Sequence, residues 1–298
     1  MIIDCHTHIW PDRASLAGVQ GFSCLGGDDS RPAQPEHHLA AAEPAYSSFV
    51  LGFVSRHLRT EIPNSFIRNY VTGHVHRLIS FAGVDPTDPG ASQQLERLHE
   101  QGFSGITLSP ACQAVHPADT RAMKVYKSAA ELNMPIYFLN GMALPGGAWL
   151  EFAQPAMLDE VARAYPELPM VISHLGYPWV EQTIALLAKH PRVYADVAGL
   201  TPRPWLAYRS LTLAYESGVI EKLLFASDFP CHTVKSAVEA LYNLNKITLN
   251  SVLPAVPREC LRGIVERNSL ELLGLEQAVA GEAGPSPTEL HQAADSPE

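Results

Sequence analysis

Short apolar runs recur along the chain, each followed by a stretch whose apolar positions repeat at helical spacing. The runs cover residues 1–9, 47–55, 77–85, 103–110, 134–141, 168–176, 192–200 and 222–230. The helix-like stretches cover 36–46, 62–74, 90–101, 119–132, 154–165, 177–190, 203–218, 233–245 and 257–275. Eight strand–helix repeats predict one α/β domain, a (β/α)8 TIM barrel, in preference to an open doubly wound sheet. The barrel is expected to fill residues 1–275. Residues 276–298 are small, polar and Pro-containing, and are expected to form a disordered tail because they cannot bury enough apolar surface. A long irregular loop over 11–35 separates the first run from its helix.

In a parallel barrel the strands are apolar, and chemistry sits at their C-terminal ends. The polar residues at those ends are therefore informative. The first run, MIIDCHTHI, carries His6 and His8. Side chains two apart on a strand share a face, about 6–7 Å apart, so the two imidazoles can converge on one divalent ion. The sixth run ends in His174 and the eighth in Asp228. Barrel closure places the eighth strand beside the first, which brings Asp228 to His6 and His8. Two histidines and a carboxylate leave open positions for water on a catalytic metal. Asp228 can then take a proton from that water and pass it on, and His174 can polarise a carbonyl or act as a second base.

Other positions carry weaker signals. Asp4 shares the face of His6 and is a candidate to orient its ring. Asp196 lies inside the seventh run and needs a partner if buried. Trp10, Trp179 and His232 follow strand ends and are candidate pocket walls, as are Cys231 and His116. His37 and His38 read as surface or packing residues on a helix.

Composition narrows the classes. The 298 residues are 46% hydrophobic and 17% charged, with net charge −10 and no basic run, so nucleic acid is excluded as the expected partner. No apolar run approaches the roughly 18 residues of a membrane span. Asp4 follows the start too closely for a secretion signal. The five cysteines, Cys5, Cys24, Cys112, Cys231 and Cys260, are odd in number and widely spaced, which predicts neither a disulfide framework nor a zinc finger. A reduced, cytoplasmic protein with a small-molecule substrate is expected. Neither G-x-G-x-x-G after the first strand nor G-x-x-x-x-G-K-[ST] occurs, which argues against nucleotide binding.

The segments IDCHTH, ISHLGYPW, FASDFP and VERNSLELLGL, taken together, resemble the amidohydrolase superfamily over nearly the whole chain. More narrowly they resemble the amidohydrolase-related (amidohydrolase 2) family, which includes aminocarboxymuconate semialdehyde and resorcylate-type decarboxylases and has lactonase-like relatives. The resemblance implies a metal-centred barrel site with His6, His8 and Asp228 as ligands, and His174 as the sixth-strand histidine that acts on substrate in decarboxylating relatives. It also implies a homodimer.

Two departures bear on the metal. Where relatives end the fifth strand in a metal-binding histidine, this chain has Leu139, with Asn140 beside it. Where relatives have a lysine in the fourth strand, it has Thr107. A binuclear site is therefore not expected. The expectation is one divalent ion, zinc first, held by His6, His8 and Asp228 with help from His174 or Asn140. Metal-free chemistry stays open, with the histidines on the carbonyl oxygen and Asp228 activating water. The leading function is hydrolysis of a C–N or C–O bond in a small carboxylated substrate. The alternative is metal-dependent, non-oxidative decarboxylation of an aromatic or muconate-type acid, for which Arg56, Arg203 and Arg209 are candidate carboxylate clamps. A non-catalytic barrel that has lost its metal and binds a ligand or partner is the third reading.

Overall fold

The computed structural model describes residues 1–12, 33–140, 142 and 144–280. The loop expected at 11–35 therefore lies largely outside the described residues, as do 281–298. Ten strands are described, numbered here in chain order: β1 (Ile3–Thr7), β2 (Ser47–Leu51), β3 (Phe53–Ser55), β4 (Thr60–Ile62), β5 (Leu78–Gly83), β6 (Gly105–Leu108), β7 (Ile136–Phe138), β8 (Met170–Ile172), β9 (Val193–Asp196) and β10 (Leu223–Leu224). Eight of them form one sheet in the order β1-β2-β5-β6-β7-β8-β9-β10, and its ladders are parallel. The two edges meet. Cys5 N–H donates to Phe225 O, Asp228 N–H to His6 O and His8 N–H to Phe229 O. The chain thus folds as a single-domain (β/α)8 barrel, and closure brings the segment after β10 against β1 as the sequence order requires.

The helices between strands follow the amphipathic stretches. α1 (Pro35–Ala41), α2 (Asn64–Thr72), α3 (Gln94–Glu100), α4 (Pro110–Gln113), α5 (Thr120–Glu131), α6 (Asp159–Ala164), α7 (Val180–Lys189), α8 (Pro204–Glu216), α9 (Val234–Tyr242), α10 (Arg258–Glu266), α11 (Ser269–Leu273) and α12 (Glu276–Ala280) are described. α5 shows the local logic. Asp119 caps it by accepting from Arg121 N–H, and Ala122, Val125, Tyr126 and Ala129 form its buried stripe at helical spacing. The region expected to be a tail from residue 276 begins with the short helix α12.

Three boundaries differ from the sequence pattern for identifiable reasons. The run 47–55 is two strands broken at Gly52, where an added Cβ would lie 2.4 Å from Gly83 N. Only glycine allows that backbone approach. Beyond the break, β3 turns back on β4 as a hairpin at the C-terminal side of β2. The eighth run keeps only Leu223–Leu224 in the β9 ladder; farther on, Phe229 bridges Thr7 of β1 just past Asp228, whose φ of 68° leaves the extended conformation. The last helical stretch splits into α10 and α11 at Asn268, whose side chain accepts from Glu271 N–H and starts the second helix.

Of the two adjacent histidines on α1, His37 is exposed and His38 is packed in the interior. Tyr70 Oη donates to Pro35 O, so it accepts from His38 Nδ1–H at 2.7 Å. His38 Nε2 is buried with no partner among the described residues. Burial lowers His38 from 6.5 to about 4. Its folded pKa lies below the unfolded one, so no penalty exists above pH 6.5 and one develops as pH falls towards about 4. It reaches about 3 kcal/mol. His38→Leu is therefore expected to lose about 2 kcal/mol less stability than wild type between about pH 7 and pH 4.5 in urea unfolding. Equal losses in the two proteins would refute this.

Candidate active site

Three elements of the barrel mouth supply the site. β1 carries His6 and His8 follows its last residue, the turn after β8 carries His174, and the segment after β10 carries Asp228. His6, His8 and His174 are all buried, whereas Asp228 keeps part of its surface open. One ligand atom each from His6, His174 and Asp228 fall within 4.8 Å of one another. His8 joins through its ring, with Nε2 only 3.1 Å from His6 Nε2. The His6 ring centroid lies 5.0 Å from that of His8 and 4.8 Å from that of His174. The sequence-expected quartet is therefore assembled.

The ring nitrogens are assigned by what faces them. His6 Nδ1 lies 2.7 Å from Asp196 Oδ2, His8 Nδ1 lies 2.8 Å from Leu51 O, and His174 Nδ1 lies 2.8 Å from Ala198 O. The carbonyls can only accept, and an ionised carboxylate likewise, so each Nδ1 carries the proton. With Nδ1 so occupied, Nε2 is the ring nitrogen left for a further partner, and those of His6 and His8 face each other. That 3.1 Å separation suits a cation held between the two nitrogens or a proton shared by them. Burial, followed by the charge of His6, lowers His8 from 6.5 to about 3, so His8 does not supply that proton. Burial also lowers His174, against the pull of Asp228. Two nitrogens bound to one zinc-sized ion at about 2.0–2.1 Å stand about 3.3 Å apart at a tetrahedral angle. The donor set therefore fits one divalent cation.

Backbone strain marks the same positions. His174 and Leu175 have φ 53° and 49°, and Asp228 has φ 68°. Each non-glycine residue in this region costs about 1–2 kcal/mol, which the surrounding bonds offset. Asp228 O accepts from Cys231 N–H at 2.7 Å. His174 N–H donates to Asp196 Oδ1 at 2.7 Å. Burial pushes Asp228 up to about 7, with Asp196 and Asp4 adding to the rise and His174 and Arg203 opposing it.

Asp4 and Asp196 divide the supporting work differently from the sequence expectation. Asp4 binds Ser227, from N–H at 2.8 Å and from Oγ–H at 2.6 Å, and so ties β1 to the segment before Asp228. Asp196 is the carboxylate on the His6 ring. It is fully buried and also accepts from Tyr137 Oη–H and from Ala198 N–H. Burial would raise it, but His6, His174 and Tyr137 outweigh burial and hold it below the usual carboxylate range. The only sequence signal for this residue was an acid inside an apolar strand.

The remaining candidates scatter. Leu139 is buried and brings no ligand atom. The Thr107 hydroxyl donates to Gly52 O at 2.7 Å, which commits it to the backbone. Asn140 Nδ2 donates to Ala153 O at 3.1 Å, and its Oδ1 has no partner among the described residues. Trp10 and Trp179 are half-buried. Neither makes a ring contact or side-chain hydrogen bond with the quartet among those described. His232 lines a surface groove of about 530 Å³ with His37, Phe229, Cys231 and Thr233. Of the three arginines, Arg56 and Arg209 are exposed, whereas Arg203 is half-buried, donates to Gly199 O and is felt by Asp228. Cys5, Cys112 and Cys260 are free, as expected of a reduced chain, but Cys231 is disulfide-bonded, contrary to that expectation. No described helix is long and apolar enough to cross a membrane.

The family model described as "Amidohydrolase" matches residues 3–275. No curated protein sequence matches the chain. Among solved structures, an uncharacterised TIM-barrel protein from Bordetella bronchiseptica superposes with a TM-score of 0.69 at 18% identity, covering 92% of this chain and 98% of that one. A probable 2-pyrone-4,6-dicarboxylic acid hydrolase from Acinetobacter baumannii, with citric acid bound, gives 0.63 at 18% identity over 92% and 99% of the two chains. A dihydroxybenzoic acid decarboxylase from a Polaromonas species, with manganese and 2-nitroresorcinol bound, gives 0.63 at 16% identity over 92% and 97%. At these identities the likeness establishes the fold.

Proposed function

The chain belongs to the amidohydrolase family, and on that premise we propose that it is a hydrolase that cleaves a C–O or C–N acyl bond in a small carboxylated substrate. One observation carries the reading. One ring nitrogen each of His6 and His174 and a carboxylate oxygen of Asp228 lie within 4.8 Å of one another at the barrel mouth. His6, His8, His174 and Asp228 would hold a single divalent ion, zinc as the first expectation and manganese, present in the decarboxylase neighbour, as the second. When bound, that ion polarises a carbonyl and lowers the pKa of water at the site.

The chain's own residues supply the rest. Asp228, pushed towards neutrality by burial, takes a proton from water as its oxygen adds to the acyl carbon. It returns that proton to the departing oxygen or nitrogen as the bond breaks. Arg203 places a fixed positive charge near Asp228, where a substrate carboxylate would pair with it. The same charge suits the competing reading, loss of carbon dioxide from a carboxylic acid, and a decarboxylase is among the structural neighbours.

The test is turnover of carboxylated lactones, esters and amides before and after chelation, with metal content and carbon dioxide followed in the same samples. The expected result is a product heavier by one water, at least about tenfold loss on chelation and recovery with Zn²⁺ or Mn²⁺. Carbon dioxide release without water addition would replace the hydrolase reading with the decarboxylase one. Full activity in metal-free protein would leave hydrolysis standing and remove the metal.

A further inference from the structure

We infer that Asp196 is a positioning residue that sets the ring tautomer of His6 and the backbone of His174 together, so that one carboxylate makes both histidines competent at the barrel mouth. The inference rests on the proposed site. β9 is separated from β1 by β10 and from β7 by β8, so the Asp196 side chain reaches His6 and Tyr137 through the barrel interior. Its two oxygens divide the work. Oδ1 accepts from the backbone N–H groups of His174 at 2.7 Å and Ala198 at 2.9 Å. Oδ2 accepts from His6 Nδ1–H at 2.7 Å and from the Tyr137 hydroxyl. Those donors use the oxygens fully. Ala198 O in turn accepts from His174 Nδ1–H, so the chain that Asp196 braces also orients the second imidazole.

An amide in place of the carboxylate cannot serve all of these donors, because it has one acceptor oxygen and one NH2 group. The backbone N–H groups of His174 and Ala198 cannot turn away, so the amide oxygen must face them. The NH2 group then faces His6 and Tyr137. The tyrosine hydroxyl can rotate and accept. His6 can accept only by moving its proton from Nδ1 to Nε2. That proton points along the 3.1 Å separation to the His8 Nε2 lone pair, a good hydrogen-bond distance. The Asp196→Asn protein is thus expected to fold with a well-bonded His6 whose ligating lone pair has been lost. A side chain serving packing alone would not move the tautomer.

The experiment compares full-length wild type, Asp196→Asn and Tyr137→Phe. Three readouts are used: long-range ¹⁵N–¹H spectra of the histidine rings without metal, calorimetric titration with Mn²⁺ alone, and thermal unfolding. His6 is expected as Nδ1–H in wild type and in Tyr137→Phe, and as Nε2–H in Asp196→Asn. Mn²⁺ affinity is expected to fall about 10–100-fold in Asp196→Asn, with a cooperative thermal transition retained in the metal-free protein. Tyr137→Phe should keep wild-type affinity, since its hydroxyl only shares Oδ2 with His6. An Nε2–H ring at His6 in wild type overturns the inference, even if Asp196→Asn fails to fold. So does an unchanged tautomer in Asp196→Asn, or a loss of affinity in Tyr137→Phe equal to that in Asp196→Asn. If wild type takes up no Mn²⁺, the metal reading fails while the ring spectra still decide the role of Asp196.

Discussion

Asp228→Asn is expected to lower kcat/KM by about 10²- to 10⁴-fold while unfolding at the wild-type temperature. The Asp228 carboxylate is the group proposed to take a proton from water, at the point where ligand atoms of His6, His174 and Asp228 meet. An amide of the same size cannot take it. The fold should tolerate the change for a local reason. Residue 228 has φ 68°, a region that asparagine enters more readily than most residues. The backbone bonds that hold the segment, Asp228 N–H to His6 O and Cys231 N–H to Asp228 O, do not involve the side chain. The measurement is steady-state kinetics on the substrate identified by the chelation screen, beside a thermal melt. Wild-type turnover in a folded Asp228→Asn protein would remove Asp228 from the chemistry.

Gly199→Ala is expected to lower kcat/KM by about 10²-fold through crowding of the site. A Cβ at Gly199 would lie 2.7 Å from Met142 Cγ, 3.1 Å from Asp228 Oδ2 and 3.1 Å from His174 Nδ1. The glycine leaves the space in which those two side chains meet, and a displacement of a few tenths of an ångström there disturbs both. Gly199 also has φ 66°, so alanine adds about 1–2 kcal/mol of backbone strain. The two effects separate with Gly218→Ala. That residue has φ 71° with nothing within 4 Å of an added Cβ, so it should lose similar stability and keep full turnover. Equal losses of turnover in the two variants would show that strain, and not crowding, is responsible.

Much of the site was readable because barrel strands alternate and close. The spacing of His6 and His8 gave one face, and chain order placed the last strand beside the first, so Asp228 could be assigned to their side. His174 followed from its place at a strand end. The departures were also readable: a leucine at 139 and a threonine at 107 bring no ligand, whatever the fold does with them. The supporting residues were harder. Asp4, two residues from His6, looked like its partner, but a strand side chain two positions along faces the same way and not towards its neighbour's ring. Asp196, far along the chain, meets that ring across the barrel.

The sequence by itself determined the number and order of strand–helix units, the apolar interior and the chemical types at the mouth, because these depend on local periodicity and composition. The tertiary structure alone decided which atoms face one another. The His6–Asp196 bond spans 190 residues of chain, and its existence depends on the tilt and closure of the barrel, which no local pattern encodes. The proton positions on His6, His8 and His174 depend in turn on which acceptor stands opposite each Nδ1. A histidine's chemistry is set by its partner, and the partner is fixed only when the barrel closes.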